Sequence, residues 1–316
     1  MVGLGSERGL KMATDIQARN ARVSDGKTSA VPTIRAILAA DVEACGRAAY
    51  EAHRTVAAAH NYPPEHPSVE FSIGLIGNKL KDPNAWGILA EYDGRILGSV
   101  FLNLFPSTPV AVIGPLTVDP AAEGGVGRRL MQAALDEAHQ RGIGQVRLVQ
   151  SPSHLRSLAL YVKLGFEVRE PLLLVHGAPP AAAAIEGCVV RRATPEDTPA
   201  CERLCIAVHG FSRGFELRSA IEQKTATVVE RAGRISGYAT AIGLRGYAVT
   251  EATDDLKALI AGAPAILGPG FFVPIRNGAL LRWLLDNGFR TLWPAMLMTA
   301  GPYHEPAGAF LPSIAF

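Results

Sequence analysis

The sequence predicts a mixed α/β protein, α+β in its sheet arrangement, made of two tandem copies of one plan. Three observations carry this. The first is size: 316 residues, 48% hydrophobic and 19% charged, exceed one domain of roughly 100–200 residues and supply apolar side chains for two cores. The second is a repeat: residues 33–53 (TIRAILAADVEACGRAAYEAH) lie without a gap over 189–209 (VVRRATPEDTPACERLCIAVH) at an offset of 156. This pairs Arg35 with Arg191, Asp41 with Asp197, Ala44 with Ala200, Cys45 with Cys201, Arg47 with Arg203 and His53 with His209. The third is a later match of 90–98 (AEYDGRILG) with 229–237 (VERAGRISG) at an offset of 139, which pairs Glu91, Gly94, Arg95, Ile96 and Gly98 with Glu230, Gly233, Arg234, Ile235 and Gly237. The offset falls by 17, so the second copy is expected to lack about that many residues between its first helix and its first hairpin, with the order of elements kept.

Each copy opens with a short strand and a helix. In the second, Thr194 is the expected N-cap, Pro195 takes the first helical position and Asp197 closes a capping box. In the first copy, runs at 86–92 and 95–105 flank Asp93-Gly94, the signature of a two-residue hairpin turn. The strand 110–118 (VAVIGPLTV) is interrupted by Gly114-Pro115, a pair that a regular central ladder does not accommodate, so a bulge or splay is expected there. A helix over about 125–141, a strand at 145–150, a helix at 153–164 stopped by Gly165, and closing strands within 166–176 complete the plan. GAPPAAAAIEG, 177–187, reads as a linker. The expected division is a leader over 1–30, a first domain over 31–176, the linker, and a second domain over 188–316.

Lys+Arg 31 against Asp+Glu 29 leaves a net charge of +2, which gives no global field to gather nucleic acid or an acidic membrane. No run of about 18 apolar residues exists, and the first 30 residues carry scattered charges without a signal-peptide core. Four cysteines (Cys45, Cys188, Cys201, Cys205) are too few for a disulfide framework, so a reducing, cytoplasmic setting is expected. Cys201, Cys205 and His209 share one helical face. The outer two stand about 12 Å apart at 1.5 Å rise per residue, too far for one zinc with ligands at ~2.0–2.3 Å, so no metal is expected.

The segment VDPAAEGGVGRRLMQAALDEA holds the strongest chemical signal. Val126, Leu130, Ala134 and Ala138 at i, i+4 spacing bury one helix face. Gly124, Gly125 and Gly127 lack Cβ, so backbone amides at the helix start can converge on an anion beside the positive end of the helix dipole. Arg128 and Arg129 in the first turn are mildly unfavourable there unless an anion binds. Taken alone, the segment reads equally well as a tight strand-to-helix turn with solvated arginines.

The order of these parts resembles the GNAT superfamily of acyl-CoA-dependent N-acyltransferases. LTVDPAAEGGVGRRLM is similar to its bulged strand followed by Gln/Arg-x-x-Gly-x-Gly/Ala, with Gly125 and Gly127 in the glycine places, and SHLRSLALYVKLGFEV matches its second signature through Tyr161 and Leu164-Gly165-Phe166. Ala122 departs from the pattern where Gln or Arg is usual, and the turn after Pro120 is one residue short. The resemblance implies that acetyl-CoA binds as cosubstrate. Its pyrophosphate would lie on the amides of Glu123, Gly124, Gly125, Val126, Gly127 and Arg128, and its pantetheine arm along Leu116, Thr117 and Val118. An amide near Leu116 would polarise the thioester, and Tyr161 would give a proton to the departing thiolate. The competing reading of Tyr161 is a core tyrosine with a satisfied hydroxyl.

An amine acceptor must lose a proton near neutral pH, its pKa being ~10.4 for a lysine-like group. The richest cluster for that task is His60, Glu65, His66 and Glu70, within the stretch the second copy lacks, and no single residue stands out as the base. In the second copy, 266–274 (ILGPGFFVP) and the helix 277–288 are expected as counterparts of 110–118 and its helix. Only Gly278 remains near that turn, which marks the copy as degenerate, a support that walls the acceptor cleft. The apolar end GAFLPSIAF is expected to tuck into a sheet. The function expected is N-acetyl transfer to an amine of a small molecule or peptide, with neither nucleic acid nor membrane as partner. The alternative is a catalytically silent acyl-CoA-binding or sensory protein. Aminoglycoside modification would favour an acidic cleft, which the balanced charge does not support.

Overall fold

The computed structural model describes residues 31–61, 65–122, 125–180 and 185–315. The expected leader, 1–30, lies outside the described residues. The first copy runs β1 (Thr33–Ala36), α1 (Val42–Ala59), α2 (Val69–Lys81), β2 (Ala85–Tyr92), β3 (Arg95–Leu104), β4 (Val110–Val118), α3 (Val126–Gln140), β5 (Gln145–Gln150), α4 (Leu155–Lys163) and β6 (Glu167–His176). The second repeats that order as β7 (Cys188–Arg192), α5 (Thr198–His209), α6 (Gly214–Glu222), β8 (Thr227–Arg231), β9 (Arg234–Ala239), β10 (Ala248–Thr250), α7 (Thr253–Ala261), β11 (Phe271–Pro274), α8 (Gly278–Asp286) and β12 (Arg290–Ala300), and ends in β13 (Ala309–Leu311). The shortening expected from the offsets falls partly in the first two helices, 18 and 13 residues in one copy against 12 and 9 in the other.

Residues that repeat in sequence make the same contacts twice. Arg35 donates to Asp41 at 2.6 Å and to Glu91 at 2.7 Å; Arg191 donates to Asp197 at 2.7 Å and to Glu230 at 2.6 Å. Each triad ties the first strand to the start of the first helix and to the neighbouring strand. The hydrogen bonds from Arg35 and Arg191 hold Asp41 and Asp197 below the usual carboxylate range. Cys45 and Cys201 are fully buried. Asp93-Gly94 and Ala232-Gly233 both take left-handed φ at the hairpin turn. A Cβ on Gly98 would stand 2.5 Å from the Thr117 carbonyl, and one on Gly237 2.3 Å from Thr250, so both glycines permit the close approach of β3 to β4 and of β9 to β10.

Two sheets result, of order β1-β2-β3-β4-β5-β12-β6-β11 and β13-β10-β9-β8-β7. The copies exchange strands. β12 lies antiparallel between β5 and β6, and β6 lies antiparallel between β12 and β11, so each copy's sixth strand completes the other's sheet. The closing strands expected within 166–176 are therefore corrected to one, β6, whose neighbours both come from the second copy. The C-terminal segment does enter a sheet, as β13 on β10.

The expected alignment of 266–288 also needs correction. β11 and α8 correspond to β5 and α4, since Asn287-Gly288-Phe289 closes α8 as Leu164-Gly165-Phe166 closes α4: Phe289 donates to the Leu284 carbonyl as Phe166 does to that of Tyr161, both at 3.0 Å. The counterparts of β4 and α3 are β10 and α7, joined by Glu251-Ala252 with no glycine. Leu284 stands where the first copy has Tyr161 and is fully buried. No helix among the described residues is long and apolar enough to cross a membrane.

Candidate active site

β4 and β5 run parallel and pair only at Val110–Val112 with Gln145–Arg147. Beyond that point β4 carries a bulge against β3: Leu116 faces Val100, Ile113 faces Leu102, and Gly114-Pro115, joined by a cis peptide bond, make up the excess. The bulge shifts the alternation by one residue. Ala111 and Ile113 before it, and Leu116 and Val118 after it, all reach the core beneath α3. Asn103 on β3 holds the irregularity, its Nδ2 donating to the carbonyls of Val112 and Gly114 at 2.9 Å each, while its Oδ1 accepts from the Lys79 ammonium. Leu116, Thr117 and Val118 pair with β3 on one side, and no ladder joins them to β5 on the other. Thr117 is buried with its hydroxyl unpartnered.

Past β4, Asp119 accepts from the Ala121 amide and from Arg95 and turns the chain toward α3. Glu123 and Gly124, both expected in the cradle, lie outside the described residues. Gly125 caps α3 with φ +73°, a left-handed conformation that favours glycine, and the space where a Cβ would sit is open. Val126 is buried beneath the helix and Arg128 is exposed. Gly127 serves packing, because a Cβ there would press on Val118 and Leu160 at 3.3 and 3.4 Å. Arg129 donates to the Pro32 carbonyl at 2.7 Å, so the two arginines divide: one anchors the N-terminal strand, the other remains at the helix mouth. The first turn of α3 holds no acid, and the leading amides of a helix lack intrahelical acceptors. These features fit a bound pyrophosphate.

Tyr161 on α4 shares the core with Ile113 and Val126 and is 7% exposed, its ring 6.0 Å from that of Phe166. Burial pushes its hydroxyl up to about 12, partly offset by the adjacent Ser157 hydroxyl, so the phenol keeps its proton at neutral pH. Of the expected polar cluster, the fold brings together His66 and Glu65 and adds His53. The rings of His53 and His66 stack at 3.9 Å, His53 Nδ1 is 3.4 Å from Glu65, and His66 Nδ1 is 2.8 Å from the Ser72 hydroxyl. Burial and then the charge of His53 drop His66 to about 4. His154, in the loop before α4, feels His60 at the end of α1. Glu70 stays apart, exposed in the first turn of α2.

Residues 49–166 match the acetyltransferase (GNAT) family model. The mycothiol acetyltransferase of Cellulomonas flavigena is 33% identical over 122 residues, which cover 35% of this chain and 34% of the relative; that of Beutenbergia cavernae is 38% identical over 92 residues, 28% and 31%. The chain thus spans about a third of the length of the curated relatives it matches. In structure, it is similar over 86% of its length, and 100% of the other chain, to a tandem GNAT protein from the clavulanic acid biosynthesis pathway, with TM-score 0.51 and 16% identity. The GCN5-related N-acetyltransferase from Sphaerobacter thermophilus gives TM-score 0.57 at 16% identity over 88% and 98%. At such identity the likeness is one of fold. Residues 49–166 carry the GNAT-family match, and the chain as a whole has the fold of the tandem GNAT proteins.

Both halves have the GNAT-like plan, and the second reaches into the surroundings of the first. Phe211 packs on Val110 and Val112 of β4, and the Arg147 guanidinium lies over the rings of Phe211 and Tyr303 at 5.0 and 5.3 Å. Arg245, in the β9–β10 loop, is felt by both His66 and Lys79. Sequence reasoning missed Asn103, Lys79, His53, His154 and Arg245. Asn103 alone left a signal, as a polar residue inside the apolar run FLNLF. Cys201, Cys205 and His209 line the buried face of α5, where His209 sits among the rings of Phe211, Tyr247 and Phe310.

Proposed function

We propose that this chain is an N-acetyltransferase that moves an acetyl group from acetyl-CoA to an amine of a small molecule or peptide, by direct attack within a ternary complex. Residues 31–176 form the active domain, 177–187 the linker and 188–316 a degenerate copy. The carrying observation is that the β4 edge left without a ladder leads to a glycine-capped helix with no acid in its first turn. The names of the curated relatives support acetyl transfer.

Acetyl-CoA, when bound, supplies the thioester. The amides of 123–128 hold its pyrophosphate and Arg128 adds a cation at the mouth. The β4 edge at Leu116, Thr117 and Val118 hydrogen-bonds the pantetheine arm, as an added strand would. The Leu116 amide polarises the thioester carbonyl. Tyr161, protonated at neutral pH, gives its proton to the sulfur as the carbon–sulfur bond breaks. A cytoplasmic location belongs to the same reading.

Calorimetry with acetyl-CoA on the full chain is expected to give one site per chain. Two equivalent sites, or none, would overturn the assignment. Release of free thiol from acetyl-CoA across a panel of primary amines then separates an enzyme from a silent binder.

A further inference from the structure

Tyr161 is almost enclosed, so once it has given up its proton it cannot recover one directly from bulk water. α4 supplies another route. Ser157 lies one turn before Tyr161 on the same face of α4, where its hydroxyl favours the ionised phenol. The same hydroxyl is 2.8 Å from Nδ1 of His154, the N-cap residue of α4. His154 is half-buried and faces the polar cluster: the charged and titratable groups around it are His53, His60, Glu65 and Arg156.

We propose that His154 and Ser157 form a proton relay that reloads Tyr161 in each turnover and opens on the cluster of His53, His60 and Glu65. The inference rests on Tyr161 being the general acid. After the phenol has protonated the thiolate, the Ser157 hydroxyl gives its proton to the phenolate and takes the one on His154 Nδ1. His154 takes a proton at Nε2, supplied by solvent or by the acceptor ammonium, ends as the other tautomer, and returns to the Nδ1–H form by proton exchange with solvent before the next turnover. No charge is left behind on the relay. Burial, followed by the charges of His60, Arg156 and His53, keeps His154 below the ordinary imidazole range, so it is neutral and able to accept at one nitrogen while donating from the other. Leu284 replaces Tyr161 in the second copy, and with Leu281 at the place of Leu158 and Leu280 at that of Ser157, α8 carries no such chain of hydroxyls.

The test uses the full chain, acetyl-CoA and the amine that turns over best in the panel. Ser157→Ala is expected to lower kcat roughly tenfold or more, within the range for losing part of a general acid, with KM for acetyl-CoA unchanged. Ser157→Thr should restore the rate. In the Tyr161→Phe background, Ser157→Ala should cost nothing further, because members of one relay are not additive. Full activity of Ser157→Ala, or an undiminished loss in that background, would overturn the relay. A second reading needs no turnover: with 13Cζ-labelled tyrosine, the Tyr161 signal, assigned by its absence in Tyr161→Phe, should move in Ser157→Ala at neutral pH. An unmoved signal also overturns the relay. A wild-type chain that releases no thiol with any amine, yet shows the moved signal, rejects the transferase reading and keeps the hydrogen-bonded chain.

Discussion

The starts of α3 and α7 occupy the same place in the two copies and have opposite character. α3 opens on Gly125 in a left-handed conformation, with no acid in its first turn. α7 opens after Glu251-Ala252 with Asp254 and Asp255 in its first turn, where two carboxylates satisfy the helix dipole themselves and repel an anion. The β4 edge beside the first start carries no ladder to β5, whereas β10 is covered by β13, Val249 facing Phe310. The scaffold contacts, by contrast, are nearly identical in the two copies, as the Arg35 and Arg191 triads show. After duplication, the parts that hold the plan together and the parts that could hold a ligand have parted company, and only the first set is common to both halves.

Breaking the comparison at its chemical end should give the largest effect. Tyr161→Phe is expected to lower turnover by ~100–10,000-fold with acetyl-CoA affinity nearly unchanged, while Leu284→Phe in the second copy leaves the mechanism intact. The deficit should narrow toward alkaline pH, because a thiol of pKa ~8.5 departs unassisted more readily there. Turnover against pH for both variants, with melting temperatures, decides the matter.

Next comes the cradle. Gly125→Val forces a β-branched residue into left-handed φ and places a side chain in the open space at the helix mouth, a strain of ~1–3 kcal/mol, so acetyl-CoA should bind roughly tenfold more weakly or worse. Ala252→Val, at the matching start of α7, should leave that affinity as it was. Titration calorimetry reads both, and equal effects would dissolve the distinction between the two helix starts.

The smallest effects on turnover should be the symmetric ones, which are read in stability instead. Asp41→Asn and Asp197→Asn each weaken a bidentate pair and are expected to cost about 1–3 kcal/mol of stability at neutral pH, by similar amounts in the two copies. Both carboxylates have lowered values in the fold. Their contribution is therefore complete above the unfolded aspartate pKa of ~3.9 and fades as pH falls through the folded value. Urea unfolding at pH 7 and at pH 3 should show the difference from wild type shrinking in acid. A gap that widens in acid would contradict the assigned ion pairs.

Much of this plan was legible in the sequence because its signals are local or repeated. Asp93-Gly94 forms its hairpin turn, Gly114-Pro115 marks a bulge, and the matched residues Arg35, Asp41 and Glu91 prove to touch one another. The strand exchange was not legible: alternation along β6 and β12 reports burial on a face, and the neighbour within a sheet is chosen by contacts far along the chain. The second copy's counterpart of β4 is hidden for a related reason. Gly268-Pro269 imitates Gly114-Pro115, whereas the true counterpart, β10, is only three residues long and has no glycine turn after it. Around the site, His53 and His154 lie about a hundred positions apart in sequence, and the charge of one bears on the other only because α1 and the loop before α4 converge. Asn103 could have been singled out as a lone amide in an apolar strand, since such a group must find partners when buried.

The exchange of β6 and β12 also sets an order on synthesis. β5 has β4 on one side, but its other neighbour, β12, cannot pair until residues 296–300 exist, so the first half emerges with an open sheet edge that waits for the second. Contacts of such long sequence separation form late and slow the approach to the native state. A ribosome stalled before residue 290 would hold every residue of the proposed active site and still lack the strand that closes the sheet beneath it.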